Sequence, residues 1–218
     1  VHELAVAGVR RDPDDFTSRT RVGTTGRELG DILRWHAPAE ADAVYDVALI
    51  RLAEIRDNVK ARRDRAEILA HSSYALRRLK RTAEAKRRVD EALTILTETK
   101  DYPADRIALD SELCSVLQAV ADHHAAEGQL GLALEEYDRL LEKVMAAAPD
   151  VEQDLRTAYS LSLLYRDEAR LHRAAGAADK AEAVEAKRLA IWKRWSEKLP
   201  DNPFVMRQLA LEGPENTL

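Results

Sequence analysis

The sequence predicts an all-α protein built from stacked helical hairpins, and three observations carry that prediction. The first is recurrence. Leu29-Gly30-x-x-Leu33, followed by Ala41-x-x-x-Tyr45-x-x-Ala48, returns in altered form around Ala85, Ala133 and Ala181. The steps between those alanines are 44, 48 and 48 residues. Small residues at fixed offsets within such a period mark repeated helix–turn–helix units. The second is punctuation. Pro13, Pro38, Pro103, Pro149, Pro200, Pro203 and Pro214 all fall between periodic segments. Proline inside a helix costs about 3 kcal/mol, so the stretches between them are free to be long helices. The third is composition. Charged residues make up 33% and aromatics 5%, and the runs of Val, Ile and Thr that build strands are missing.

The elements follow in order. Residues 1–11 read as the end of a preceding helix, and Asp12-Pro13-Asp14-Asp15 as a turn whose acids cap the next one. The chain opens on Val inside that helix, so it reads as a fragment of a longer polypeptide. The array spans 16–200, in units of about 16–58, 62–100, 104–148 and 150–199. Its helix pairs are expected at 16–36 and 38–57, 62–79 and 81–99, 105–127 and 129–147, and 151–175 and 178–198. Gly128 and Gly176 stop the first helix of units three and four, and proline follows the second helix of each, the stop chemistry of helical hairpins. Leu130, Leu134, Tyr137, Leu141 and Val144 form an amphipathic stripe that faces a neighbouring helix. Residues 201–218 form a short cap helix, near 204–212, and a tail.

Charge is uneven along the chain. The net value is −5, from 34 Lys and Arg against 39 Asp and Glu. Residues 51–100 carry +6 and residues 101–155 carry −10. Most of these charges are expected on solvated helix faces, paired one turn apart. One cysteine, Cys114, excludes an intrachain disulfide and fits a reducing, cytoplasmic compartment. No stretch is apolar enough to span a membrane.

The repeated units resemble tetratricopeptide repeats. Unit one matches that family at Leu29, Gly30, Leu33, Ala41, Tyr45 and Ala48. Unit two matches at Leu69, Ser73, Leu76, Leu79, Ala85, Val89 and Ala92, and unit three at Leu117, Ala121, Gly128, Ala133 and Tyr137. Unit four keeps Tyr165, Ala169, Gly176 and Ala181 but places Glu168 and Glu185 where apolar residues are expected. The family repeat is about 34 residues, so the second helix of each unit here is longer by one to two turns. Similar long-helix repeats look like those attached to bacterial serine/threonine protein kinases of the eukaryotic-like type. The chain itself has no kinase Gly-rich loop, His-Arg-Asp or Asp-Phe-Gly. The resemblance implies a right-handed superhelix of about four antiparallel helix pairs.

Other motifs carry little chemistry. Gly23-Thr24-Thr25-Gly26 lacks the Gly-Lys-Ser/Thr and the preceding strand of a phosphate loop. His123, His124 and Glu127 lack metal-ligand spacing, since adjacent helical residues point about 100° apart. Cys114 lies in an apolar stripe and reads as a buried thiol. Trp192, Trp195, Phe204 and Met206 read as a hydrophobic end cap, or else as a docking patch. The basic runs Arg56 to Arg65 and Arg77 to Arg88 lack stacking aromatics other than Tyr74, against nucleic-acid binding.

The resemblance also implies a binding groove lined by first-helix residues. Carried over position by position, it selects Arg27, Asp31, Arg34 and Trp35 in unit one and Ala70, Tyr74, Arg77 and Arg78 in unit two. It selects Gln118, Asp122 and Ala125 in unit three and Arg166, Arg170 and Arg173 in unit four. Arg27, Arg34, Trp35, Tyr74, Arg77, Arg78, Arg170 and Arg173 are therefore the expected peptide-binding residues. Arginine's planar fork holds carboxylates bidentately, which implies an acidic peptide or protein partner. The alternative is that these arginines pair with acids on neighbouring helices. The expected function is a protein-interaction scaffold without catalysis, cofactor or metal. Its alternatives are a regulatory arm of a kinase and a self-association module.

Overall fold

The structure is a computed structural model that describes residues 2–12, 15–55 and 57–211. Pro13, Asp14, Arg56, Pro214 and the rest of the tail lie outside the described residues. All regular structure among the described residues is α-helical. The helices are α1 (His2–Arg11), α2 (Phe16–Leu33), α3 (Pro38–Ala53), α4 (Val59–Arg78), α5 (Thr82–Glu98), α6 (Glu112–Ala126), α7 (Leu130–Ala146), α8 (Leu155–Ala174), α9 (Ala178–Lys198) and α10 (Pro203–Ala210).

The starts of these helices follow their local chemistry. Asp15, Asn58, Asp154 and Asn202 each accept backbone N–H bonds at the head of α2, α4, α8 and α10. Such caps satisfy donors that no helix can satisfy internally. Pro38 and Pro203 occupy the first turn, where a missing N–H costs nothing. Three starts differ from the sequence expectation, the first being α4, which begins at Val59 rather than 62 because Asn58 caps it. The helix expected from residue 105 begins at Glu112, because 105–111 is held as a packed loop. Ile107 is buried there and its N–H donates to the Lys143 carbonyl at 3.1 Å. The helix expected from 151 begins at Leu155, where Asp154 caps it.

The helix ends repeat one device. Lys80, Gly128 and Gly176 have φ of +62°, +76° and +75°. In each case the next residue's N–H reaches back to the carbonyl five before it: Arg81 to Leu76, Gln129 to His124 and Ala177 to His172, all at 2.9 Å. This is the left-handed helix stop that glycine adopts without strain. The three positions are 48 residues apart, in step with Ala85, Ala133 and Ala181, each no more than 1% exposed. The recurrence read from the sequence is thus a recurrence of backbone geometry.

The chain divides into two compact units, Val1–Ala104 with Glu112–His123, and Asp105–Ser111 with His124–Leu218. In the first, α2 packs on α3, α3 on α4 and α4 on α5. Ala41, Tyr45, Ala48, Ala85 and Ala92 are fully buried at these contacts. In the second, α7 packs on α8, α8 on α9 and α9 on α10. Trp192 is fully buried and meets Phe204 edge-on at 5.8 Å, while Trp195 donates to the Val151 carbonyl at 2.9 Å. Met206, grouped with them from the sequence, stays exposed. Unit four departs from the repeat pattern for a reason visible here. Arg188 occupies the second alanine position, is 2% exposed, and caps α10 through the Gln208 and Leu211 carbonyls, both at 2.9 Å. Glu185 supplies its counter-charge at 2.6 Å.

Candidate functional site

The expected groove residues of the first unit cluster where α2 ends against α4. Gly30 begins the arrangement. A Cβ there would lie 2.5 Å from the Tyr45 ring carbon Cζ, so only glycine lets that ring lie against α2. Tyr45 Oη then donates to Asp31 Oδ1 at 2.7 Å. His71, three residues before Tyr74 on α4, donates from Nδ1 to the same carboxylate at 2.8 Å. Arg34 Nη1 stands 3.5 Å from it, an ion pair rather than a hydrogen bond. Burial pushes the Asp31 carboxyl up, but the His71 bond and the Arg34 charge outweigh burial and hold it below the usual carboxylate range. Burial, then the Asp31 charge, pushes the Tyr45 phenol up, so it stays a donor.

Above this hub three guanidiniums share two rings. The Arg34 guanidinium lies 5.1 Å from the Tyr74 ring centre and 5.3 Å from that of Trp35. Arg77 lies 4.3 Å from Tyr74, and Arg78 lies 5.8 Å from Trp35. Tyr74 Oη donates to Asp122 on α6 at 2.7 Å. Burial and the Asp122 charge push its phenol well above the ordinary value. Trp35 is 45% exposed. Arg34 Nε and Nη1 and Arg77 Nη1 are buried without a hydrogen-bond partner.

Pairing separates these arginines from their neighbours. On α4, Arg62 holds Glu98, Arg63 holds Asp101 at 2.6 Å and Arg65 holds Glu91. Arg88 holds Asp42 at 2.9 Å and Asp46 at 2.7 Å. The basic runs read from the sequence are therefore largely spent on ion pairs between helices. Arg27 is spent likewise, on Glu67 at 3.1 Å. Arg77 and Arg78 hold no carboxylate among the described residues, and each lies over a ring. The structure thus gathers Arg34, Trp35, Tyr74, Arg77 and Arg78 and sets Arg27 to structural use. His71 was missed in the sequence, although its place one turn before Tyr74 on the same helix was legible.

In the second unit, Arg166, Arg170 and Arg173 lie on α8. Arg166 and Arg170 flank Asp167 at 3.8 and 3.7 Å. The same helix buries Glu168, 5% exposed. Burial first, and then Asp138 on α7, pushes its carboxyl up to about 7, against the opposing charge of Lys187 on α9. His172 Nε2 is 3.8 Å from it, and burial holds that imidazole below its ordinary value. Of the motifs set aside, His123 and Cys114 are buried, and His124 bonds Gln129 at 2.8 Å. No group of three metal-ligating side chains occurs among the described residues. No helix among them is long and apolar enough to cross a membrane. No family model matches the chain, and neither the curated proteins nor the solved structures contain a match.

Proposed function

We propose that this chain is a protein-interaction module that captures an acidic segment of a partner protein. In this reading its hairpins stack as a tetratricopeptide-like superhelix of about four pairs. The 48-residue recurrence of the helix stops at Lys80, Gly128 and Gly176 supports that stacking. The observation that carries the capture reading is the state of Arg77 and Arg78. They are stacked on aromatic rings and hold no carboxylate among the described residues, beside arginines that do. A guanidinium held over a ring keeps N–H donors at its edge, which is how arginine recognises acidic groups; Arg78 is exposed, and Arg77, with Nη1 buried, is half-buried. Trp35, half-exposed beside them, offers a flat apolar surface to the rest of the segment.

The test is fluorescence anisotropy of a labelled Asp/Glu-rich peptide against the parent chain and an Arg77→Glu/Arg78→Glu variant. Both residues lie at a helix end and make no ion pair among the described residues, so the variant is expected to keep the parent's circular dichroism. Binding by the parent that falls at least about tenfold in the variant, the loss of roughly one charge-assisted contact, supports the reading. Equal binding by a folded variant moves recognition to another surface.

A further inference from the structure

Resting on that capture reading, we propose that the group received by Arg77 and Arg78 is a phosphoryl group on the partner segment. The argument is one of charge and donor geometry. Three guanidiniums converge on the Trp35 and Tyr74 rings, Arg34 on both, Arg77 on Tyr74 and Arg78 on Trp35. Asp31 answers Arg34 at 3.5 Å, and Asp122 receives the Tyr74 hydroxyl at 2.7 Å. That leaves the guanidiniums of Arg77 and Arg78, each over a ring that Arg34 also touches, and neither matched by a carboxylate among the described residues.

A carboxylate brings one charge and two oxygens, and one fork matches it. A phosphate monoester brings nearly two charges and three acceptor oxygens at neutral pH. It spans two forks at once, and Arg clusters of this kind recognise it. The free protein tolerates the two uncompensated cations because both lie in the last turn of α4, where the helix dipole favours positive charge. The rings hold both forks in place before the ligand arrives, which lowers the ordering cost of binding.

The experiment titrates the full chain with three capped tripeptides, acetyl-Ala-X-Ala-amide with X as phosphoserine, glutamate or serine, and with inorganic phosphate. The readouts are the Trp35 indole N–H, assigned through Trp35→Phe, and the arginine Nε–H resonances. The expected result is saturable shifts with phosphoserine at least about tenfold tighter than with glutamate, as a second charged fork implies, and none with serine. Arg77→Lys and Arg78→Lys each keep the charge but lose the fork, so each is expected to erase the phosphoserine preference at an unchanged melting temperature. Glutamate binding as tightly as phosphoserine overturns the phosphoryl assignment and leaves the capture of acidic segments standing. Inorganic phosphate binding as tightly as the phosphopeptide overturns the assignment to a partner segment. Silence from every anion removes both readings.

Discussion

Gly30 shows how one absent methyl group sets the geometry of the cluster. Its missing Cβ lets the Tyr45 ring lie against α2, and the Tyr45 hydroxyl then fixes Asp31, the carboxylate that orients His71 and faces Arg34. Gly30→Ala forces a fully buried ring to move within a packed core. It is expected to cost about 1–3 kcal/mol in urea unfolding and to shift the His71 imidazole resonances in the folded protein. A stability loss without that shift breaks the link from Gly30 to the cluster. Lys80 offers the reverse case. It holds φ of +62° at the position where the two later repeats have glycine. Lys80→Gly relieves that strain and is expected to raise stability by about 0.5–1 kcal/mol, read as a higher denaturation midpoint. The repeat alignment marked Gly30, but Lys80 was passed over because a lysine stands where the later repeats have glycine. Which ring Gly30 admits was not legible, because close approach between helices leaves no mark on the sequence beyond the glycine itself.

At the scale of elements, periodicity and proline placement located all ten helices, with the start of α6 displaced by seven residues and the end of α3 and the start of α8 by four. The error at 105–111 arose because Ile107 supplies an apolar residue in helical phase while its backbone bonds Lys143 instead. The misfits of unit four were also legible, but not their cause. Glu185 stands where an apolar residue was expected because Arg188 beside it caps α10. Glu168 stands buried on α8, packed against α7 and α9, with Asp138 and Lys187 facing it and His172 on its own helix. Its folded pKa of about 7 lies above the ordinary 4.5. The folded state therefore holds a proton that the unfolded state releases between those values. The stability this contributes is fully present below pH 4.5 and is lost as pH rises through about 7. From pH 6 to pH 8 the parent is expected to lose about 1–2 kcal/mol that Glu168→Gln does not lose. His172 works in the opposite sense, since its depressed pKa removes stability only on acidification, so the Gln variant isolates the carboxyl. Parallel melting temperatures for parent and variant across that range would falsify the assignment.

Across the whole molecule, the charge asymmetry was legible from composition, but its use was not. The basic stretch 51–100 was expected to pair with its own helix one turn away. Arg51, Lys60, Arg81, Lys86 and Arg87 do so, while Arg62, Arg63, Arg65 and Arg88 reach acids on other helices or in the turn after α5. No linear pattern says that Arg77 and Arg78 hold no carboxylate among the described residues, because that depends on which carboxylates the packing brings within 4 Å. The consequence reaches the field of the entire chain. At a net charge of −5 the molecule repels an acidic segment at long range, while the cluster attracts it close in. Salt with a screening length of about 10 Å at 0.1 M weakens both effects, the close attraction more in energy because it is the larger. Raising salt from about 0.05 M to about 0.5 M should therefore weaken acidic-peptide binding by the parent several-fold, mainly through faster dissociation. Arg77→Glu/Arg78→Glu removes the local attraction and takes the net charge from −5 to −9, since each substitution subtracts two charges. For that variant only the repulsion remains, so added salt should leave residual binding unchanged or strengthen it. Stopped-flow association and dissociation rates at both salt levels give the sign. A variant whose binding weakens with salt as steeply as the parent's places the electrostatic contact away from this cluster.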